Sequence, residues 1–135
     1  MRSIVIMLLL LIGSPALASE TDCIARAVYH EARGEPVLCQ EMIADVVINR
    51  MQHPRFPDTA CKVVYQRRQF SWTSKNPDIN ERDAWASSRK LAIKKYKQHL
   101  TKTRVDKSQN SVFFTQGRRF GQVVAKCGNH IFMEL

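Results

Sequence analysis

No two of the four cysteines lie close enough in sequence to form a CxxC half-site, so a zinc finger or ribbon has no support. His30-Glu31 lacks the second histidine of the zinc-protease helix, because the position four residues after His30 is Gly34. His53, His99 and His130 are scattered along the chain, and no metal or other cofactor is expected. No serine stands in a nucleophile-elbow context. Internal repeats, low-complexity stretches and linkers are missing too. The apolar run at residues 4 to 12 is too short to span a bilayer and is followed by Gly13 and Pro15. Acidic residues are scarce, 12 against 21 Lys and Arg, for a net charge of +9.

What is present at the N-terminus has the layout of a secretory signal: Met1-Arg2, the apolar run, then Ala16-Leu17-Ala18 as a small-x-small cleavage site. Residues 1–18 are therefore expected to be a signal peptide and residues 19–135 one domain with a modest core. Export implies the periplasm or the cell wall and extracellular space, with no stable membrane insertion after cleavage. In such an oxidising compartment Cys23, Cys39, Cys61 and Cys127 are expected in two disulfides, leaving no free thiol as nucleophile. For an exported protein the basic charge points to an acidic wall polymer rather than nucleic acid, although it also fits solubility alone.

The periodicity predicts an α+β domain that is mainly α. Thr21 and Asp22 suit the cap of a first helix ending near Arg33, with Gly34 in a left-handed conformation behind it. Pro36 suits the first turn of a second helix reaching Met51, and a short helix is expected from Thr59 to Gln66. Residues 69–80 read as an ordered loop. Residues 81–100 read as a helix with Ala84, Ser88, Leu91, Ala92 and Tyr96 inward and its lysines on a solvated face. Residues 111–115 and 120–125 resemble a hairpin around "QGRR", with residues 130–133 as a third strand. If the first two helices fold back on each other, Cys23 lies near the returning chain at Cys61 and Cys39 lies at the opposite end. The expected pairs are Cys23 with Cys61 and Cys39 with Cys127, whereas Cys23 and Cys39 would be held beyond disulfide reach.

Glu31 is the residue most out of place. It follows Val28, Ala27 and Ile24 at spacings of three, four and seven, so a carboxylate sits on an apolar stripe. Burial and the negative end of the helix dipole both disfavour its charged form and raise its pKa, as a general acid requires. The competing assignment is a structural salt bridge to Arg33 or Arg50. A second carboxylate is not evident: Glu35 is separated by Gly34, and Asp78, Glu81 and Asp83 lie in or near the loop after "QFSW". One carboxyl group serving for both protonation and deprotonation fits better than a pair. Tyr29, Gln69, Phe70, Trp72, Asn129 and His130 have the aromatic faces and polar groups that grip a sugar polymer, although a Phe such as Phe70 is more often core and a Trp such as Trp72 serves as core or binding platform about equally often.

The blocks "ARAVYHEARGEP", Gln40 followed by "IADVVINR", "HPRFPDTACKVVYQ", "QFSW" and "GNHIFM" together resemble the SleB-type cell wall hydrolases, in the same order. That family includes spore-cortex-lytic enzymes and related bacterial and phage proteins. The resemblance implies a small lysozyme-like or transglycosylase-like domain that cuts peptidoglycan glycan strands, with Glu31 as the catalytic acid. It also implies that Gln69, Ser71, Trp72, Asn129 and His130 line the site. Two positions depart from the pattern: Cys39 replaces a common glycine, and Met133 stands where an aromatic residue is usual. The expected activity is that of a monomeric lytic transglycosylase. A hydrolytic muramidase, an amidase and a non-catalytic wall-binding domain are the alternatives.

Overall fold

Gly34 ends the first helix as expected. Helix α1 spans Pro15–Ala32, and Gly34 behind it takes φ +81°, a conformation with little cost only for glycine. The computed structural model describes residues 15–135, with side chains from residue 19, so most of the expected signal peptide lies outside the described residues. Helix α1 begins well before the cap expected at Thr21 and Asp22, since nothing between Pro15 and Gly34 breaks a helix. Thr21 is instead buried, and Asp22 faces Arg89 at 3.5 Å.

Helix α2 spans Val37–Gln52, and α3 spans Ala60–Val64, where the Thr59 hydroxyl accepts the Lys62 N–H. Glu20 of α1 also caps α3, accepting the N–H groups of Ala60 and Cys61 at 2.5 and 3.3 Å. One turn of 3-10 helix, Ser71–Ser74, interrupts the loop before α4, Arg82–Leu100. The core is built from Ile24, Ala27 and Val28 of α1, Ile43, Val46 and Val47 of α2, Val63 and Val64 of α3 and Ala92 of α4. Each of its fully buried Val and Ile side chains is worth about 1.5–3 kcal/mol.

One lysine of α4 departs from the expected solvated face. Lys95 is 2% exposed, and its Nζ donates to Asp45 and to the Val105 carbonyl, both at 3.0 Å. Asp45 also accepts from Arg104 at 2.9 Å and from the Lys107 N–H at 2.7 Å. The reason is Asp45, which lies on the buried face of α2 and must be compensated. Burial pushes its carboxyl up, against the pull of the Lys107 N–H and the two cations. This cluster fastens the chain after α4 to α2.

The sheet corrects the expected hairpin. Strands β1 (Phe113–Thr115), β2 (Gln122–Cys127) and β3 (His130–Glu134) are antiparallel in the order β1-β3-β2. The hairpin is β2 with β3, closed by Gly128 and Asn129, where Gly128 has φ +55°. Strand β3 therefore runs through the middle, and Phe132 and Met133 are fully buried. Disulfides join Cys23 to Cys61 and Cys39 to Cys127, with Cα separations of 5.1 and 5.4 Å. The first ties α1 to α3, the second α2 to β2.

Candidate active site

Glu31 lies in the last turn of α1, where the apolar stripe runs out into a cleft of about 540 Å³. Helices α1 and α2 contribute His30, Glu31 and Arg50 to its walls. The loop ahead of the 3-10 turn adds Arg68, Gln69 and Ser71, and the sheet side adds Phe114, Thr115, Gln116 and His130. Among the described lining residues, Glu31 is the one carboxylate. Trp72 reaches it from the 3-10 turn, its indole Nε1–H donating to Glu31 Oε1 at 3.2 Å. The same ring stacks on His30 with centroids 4.4 Å apart.

The competing assignment, a salt bridge from Glu31 to Arg33 or Arg50, does not form. Arg33 pairs with Glu81 at 2.9 Å, and Arg50 donates to the Val112 carbonyl at 2.6 Å. Glu35 turns to the side, its Oε2 lying 3.1 Å from His130 Nδ1, while His130 Nε2 is 3.1 Å from the Gln116 amide. Of the residues expected to grip substrate, Gln69, Ser71 and His130 line the cleft and Trp72 adjoins Glu31.

Tyr29 requires correction. It is 2% exposed, its hydroxyl accepts the N–H groups of Asn80 and Glu81, and its ring edge packs on Trp85. Its ring meets that of His30 edge-on, with centroids 5.0 Å apart, but it lies in the core rather than on the cleft wall and cannot stack on a sugar. Asn129 is exposed in the turn between β2 and β3 and is not part of the cleft lining. Phe70 is core. Arg50, Phe114, Thr115 and Gln116 also line the cleft, beyond the residues the sequence points to. For Arg50 a signal existed, since it ends the stripe Ile43, Val46, Val47 as Glu31 ends that of α1.

Residues 34–133 match the cell wall hydrolase family. The chain belongs to that family. The match begins just after Glu31, so the acid itself stands outside it. The spore cortex-lytic enzyme of Halalkalibacterium halodurans is 42% identical over 59 residues, 42% of this chain and 18% of that protein. That of Bacillus subtilis is 44% identical over 48 residues, 36% of this chain and 16% of that one. The chain thus covers less than a fifth of the length of either curated relative. Among solved structures, the catalytic domain of the Bacillus cereus SleB protein superposes with a TM-score of 0.67 at 25% identity, covering 87% of this chain and 91% of that one. The catalytic domain of the germination-specific lytic transglycosylase SleB from Bacillus anthracis gives 0.64 at 26% identity, covering 85% and 93%. The cell wall hydrolase fold seen here is accordingly lysozyme-like, helical with a small sheet.

Within this cell wall hydrolase cleft the electrostatics favour a protonated acid. Burial pushes the Glu31 carboxyl above its ordinary range; the Trp72 indole N–H opposes the shift and the nearby charge of Glu35 adds to it. His30 moves the other way, held low by burial and by the charges of Arg33 and Arg26. A neutral imidazole beside Glu31 supplies no positive charge to ionise it.

Proposed function

We propose that this chain cleaves the glycan strands of peptidoglycan as a lytic transglycosylase, between N-acetylmuramic acid and N-acetylglucosamine, with Glu31 as both acid and base. The observation that carries this reading is a single half-buried carboxyl group of raised pKa on the cleft wall, without a second carboxylate among the described lining residues. Glu31 donates its proton to the departing glycosidic oxygen as the bond to C1 breaks and positive charge develops on the ring. The resulting carboxylate then takes the proton of the muramic C6 hydroxyl, whose oxygen closes on C1. The products are a 1,6-anhydromuramic end and a free N-acetylglucosamine hydroxyl, and no water is consumed.

The site supports each step. Trp72 holds Oε1 through its indole N–H and thereby fixes the carboxyl group. The proton to be transferred is carried on Oε2, the oxygen that Trp72 does not hold. Gln69 and Ser71 offer polar groups to hydroxyl and acetamido substituents along the cleft. Exported, monomeric action on the wall is part of the same proposal and agrees with the two disulfides.

Mass spectrometry of purified peptidoglycan after digestion tests the reading. Anhydromuramic ends are the expected product. Reducing muramic ends would replace transglycosylation by hydrolysis, released stem peptides would indicate an amidase, and an undigested polymer would leave a binding domain.

A further inference from the structure

Arg50 is a buried cation without an anion. It is 3% exposed, yet it lines the same cleft as Glu31. Its Nε is satisfied by the Val112 carbonyl, but Nη1 is buried with no hydrogen-bond partner. No carboxylate among the described residues lies within ion-pair distance of the guanidinium. Rings surround it instead, with the Phe56, Phe70 and Phe113 centroids 5.2, 5.5 and 5.5 Å from Cζ. Cation–π attraction offsets part of the burial cost, but ring faces satisfy only part of the guanidinium's donor capacity.

Among the described residues, the cations Lys95 and Arg104 are by contrast neutralised, since they share Asp45. Burial pushes the Arg50 pKa down to about 10, which leaves it charged at neutral pH. Nothing else on the cleft wall supplies the missing anion: Glu31 is held toward its neutral form, and Arg68 adds a second cation. A buried charge kept unpaired at the edge of a binding cleft is a group waiting for its partner to arrive with the ligand.

We propose that Arg50 is the anion subsite of this cleft and receives a carboxylate carried on the lactyl arm of a muramic acid residue. The inference rests on the glycan cleavage proposed for Glu31. The planar guanidinium fork suits a planar carboxylate, and in the repeating glycan that group occurs on muramic acid alone. It is either the lactyl carboxylate itself, free on strands stripped of peptide, or a carboxylate of the stem peptide attached there.

The test uses Glu31→Gln protein, so that ligands survive, and isothermal titration with three tetrasaccharides of alternating N-acetylglucosamine and muramic acid. One carries free lactyl carboxylates, one has them reduced to alcohols, and one bears stem peptides. The inference predicts that a carboxylate-bearing form binds about tenfold or more tightly than the reduced form. Preference for the peptide-free acid assigns the lactyl group, and preference for the peptide-bearing form assigns the stem. Adding Arg50→Lys, which keeps the charge and loses the fork, should abolish most of that preference. Should the Lys variant fail to fold, Arg68→Gln protein decides between the two cleft cations: an undiminished preference assigns the carboxylate to Arg50, and loss of the preference overturns that assignment. Equal affinity for all three forms would overturn the anion subsite while leaving glycan binding in place, and so would an undiminished preference in a folded Lys variant. No binding of any form would overturn both proposals.

Discussion

In the proposed reaction Trp72 acts on Glu31 through one hydrogen bond, and its removal has a directional consequence. Trp72→Phe keeps an aromatic face against His30 but loses the Nε1–H donor to Glu31. That donor stabilises the charged carboxylate, so without it the Glu31 pKa should rise further. The alkaline limb of the pH–activity profile, where the acid is lost, should therefore move to higher pH. Rate measurements on solubilised glycan across the pH range would show the shift, and a downward displacement would contradict this role for Trp72.

The raised pKa of Glu31 also makes a stability statement. Below the ordinary carboxylate range the group is protonated in folded and unfolded chains alike and costs nothing. As pH rises past that range, the unfolded chain releases the proton more readily than the folded one, so stability falls until the folded pKa is passed. Glu31→Gln has no such dependence. Thermal melts should show equal or higher stability for the variant near neutral pH and convergence in acid. A structural salt-bridge role would give the opposite sign.

Glu31 was legible in the sequence because a charged residue on an apolar stripe breaks the local pattern, and its Gly34 neighbour marked the helix end beside it. Tyr29 does not follow Glu31 into the cleft because a side chain two positions away lies roughly 200° round the helix. Arg50 obeyed the same stripe rule as Glu31. Its aromatic surroundings come from segments beyond the helix, at Phe56, Phe70 and Phe113, which no local pattern joins.

At the scale of elements, the segment after α4 is held by charge rather than by regular structure. Lys95, Asp45 and Arg104 bind it to α2, and Asn49 adds bonds to Asp106, Ser108 and the Ser111 carbonyl. Lys95→Met would leave Asp45 less compensated in a buried setting and should cost about 3 kcal/mol, read from urea denaturation. A change below about 0.5 kcal/mol, typical of surface substitutions, would mean the pair is not buried in solution.

The end of α1 and the starts of α2 and α3 were legible because Gly34, Pro36 and the Thr59 cap are local signals, whereas the start of α1 was not, since Thr21 and Asp22 look like a cap but lie within the helix. Strand order was less legible. "QGRR" lies between two β-prone runs, but Gly128-Asn129 is the better two-residue hairpin signal, and it closes β2 on β3. Pairing of β1 with β3 is a long-range choice, made by burial of Phe132 and Met133 in the central strand. Lys95 was hidden for a similar reason: its partner Asp45 lies on another helix.

For the whole molecule, the two disulfides act on different spans of chain. Cys23–Cys61 closes a sequence separation of 38 and Cys39–Cys127 one of 88. Replacing either pair with alanine should lower stability by about 2–4 kcal/mol, with the larger loss for Cys39 and Cys127, because the longer span loses more freedom when linked. Denaturant titration of the two double variants checks the order. The pairing was legible because antiparallel helices fix which ends meet. The net charge of +9, by contrast, points to no particular site: wall affinity and solubility give it the same meaning in sequence.

The most direct measurement of the account is cutting and binding in parallel by Glu31→Gln protein. The amide keeps the size of the side chain but has no proton to deliver at neutral pH, so release of muropeptides from purified peptidoglycan should fall by about 100-fold or more. Sedimentation with the same polymer should show wall binding close to that of the unaltered protein. A folded Glu31→Gln variant that still releases anhydromuropeptides at a near-normal rate would contradict the account.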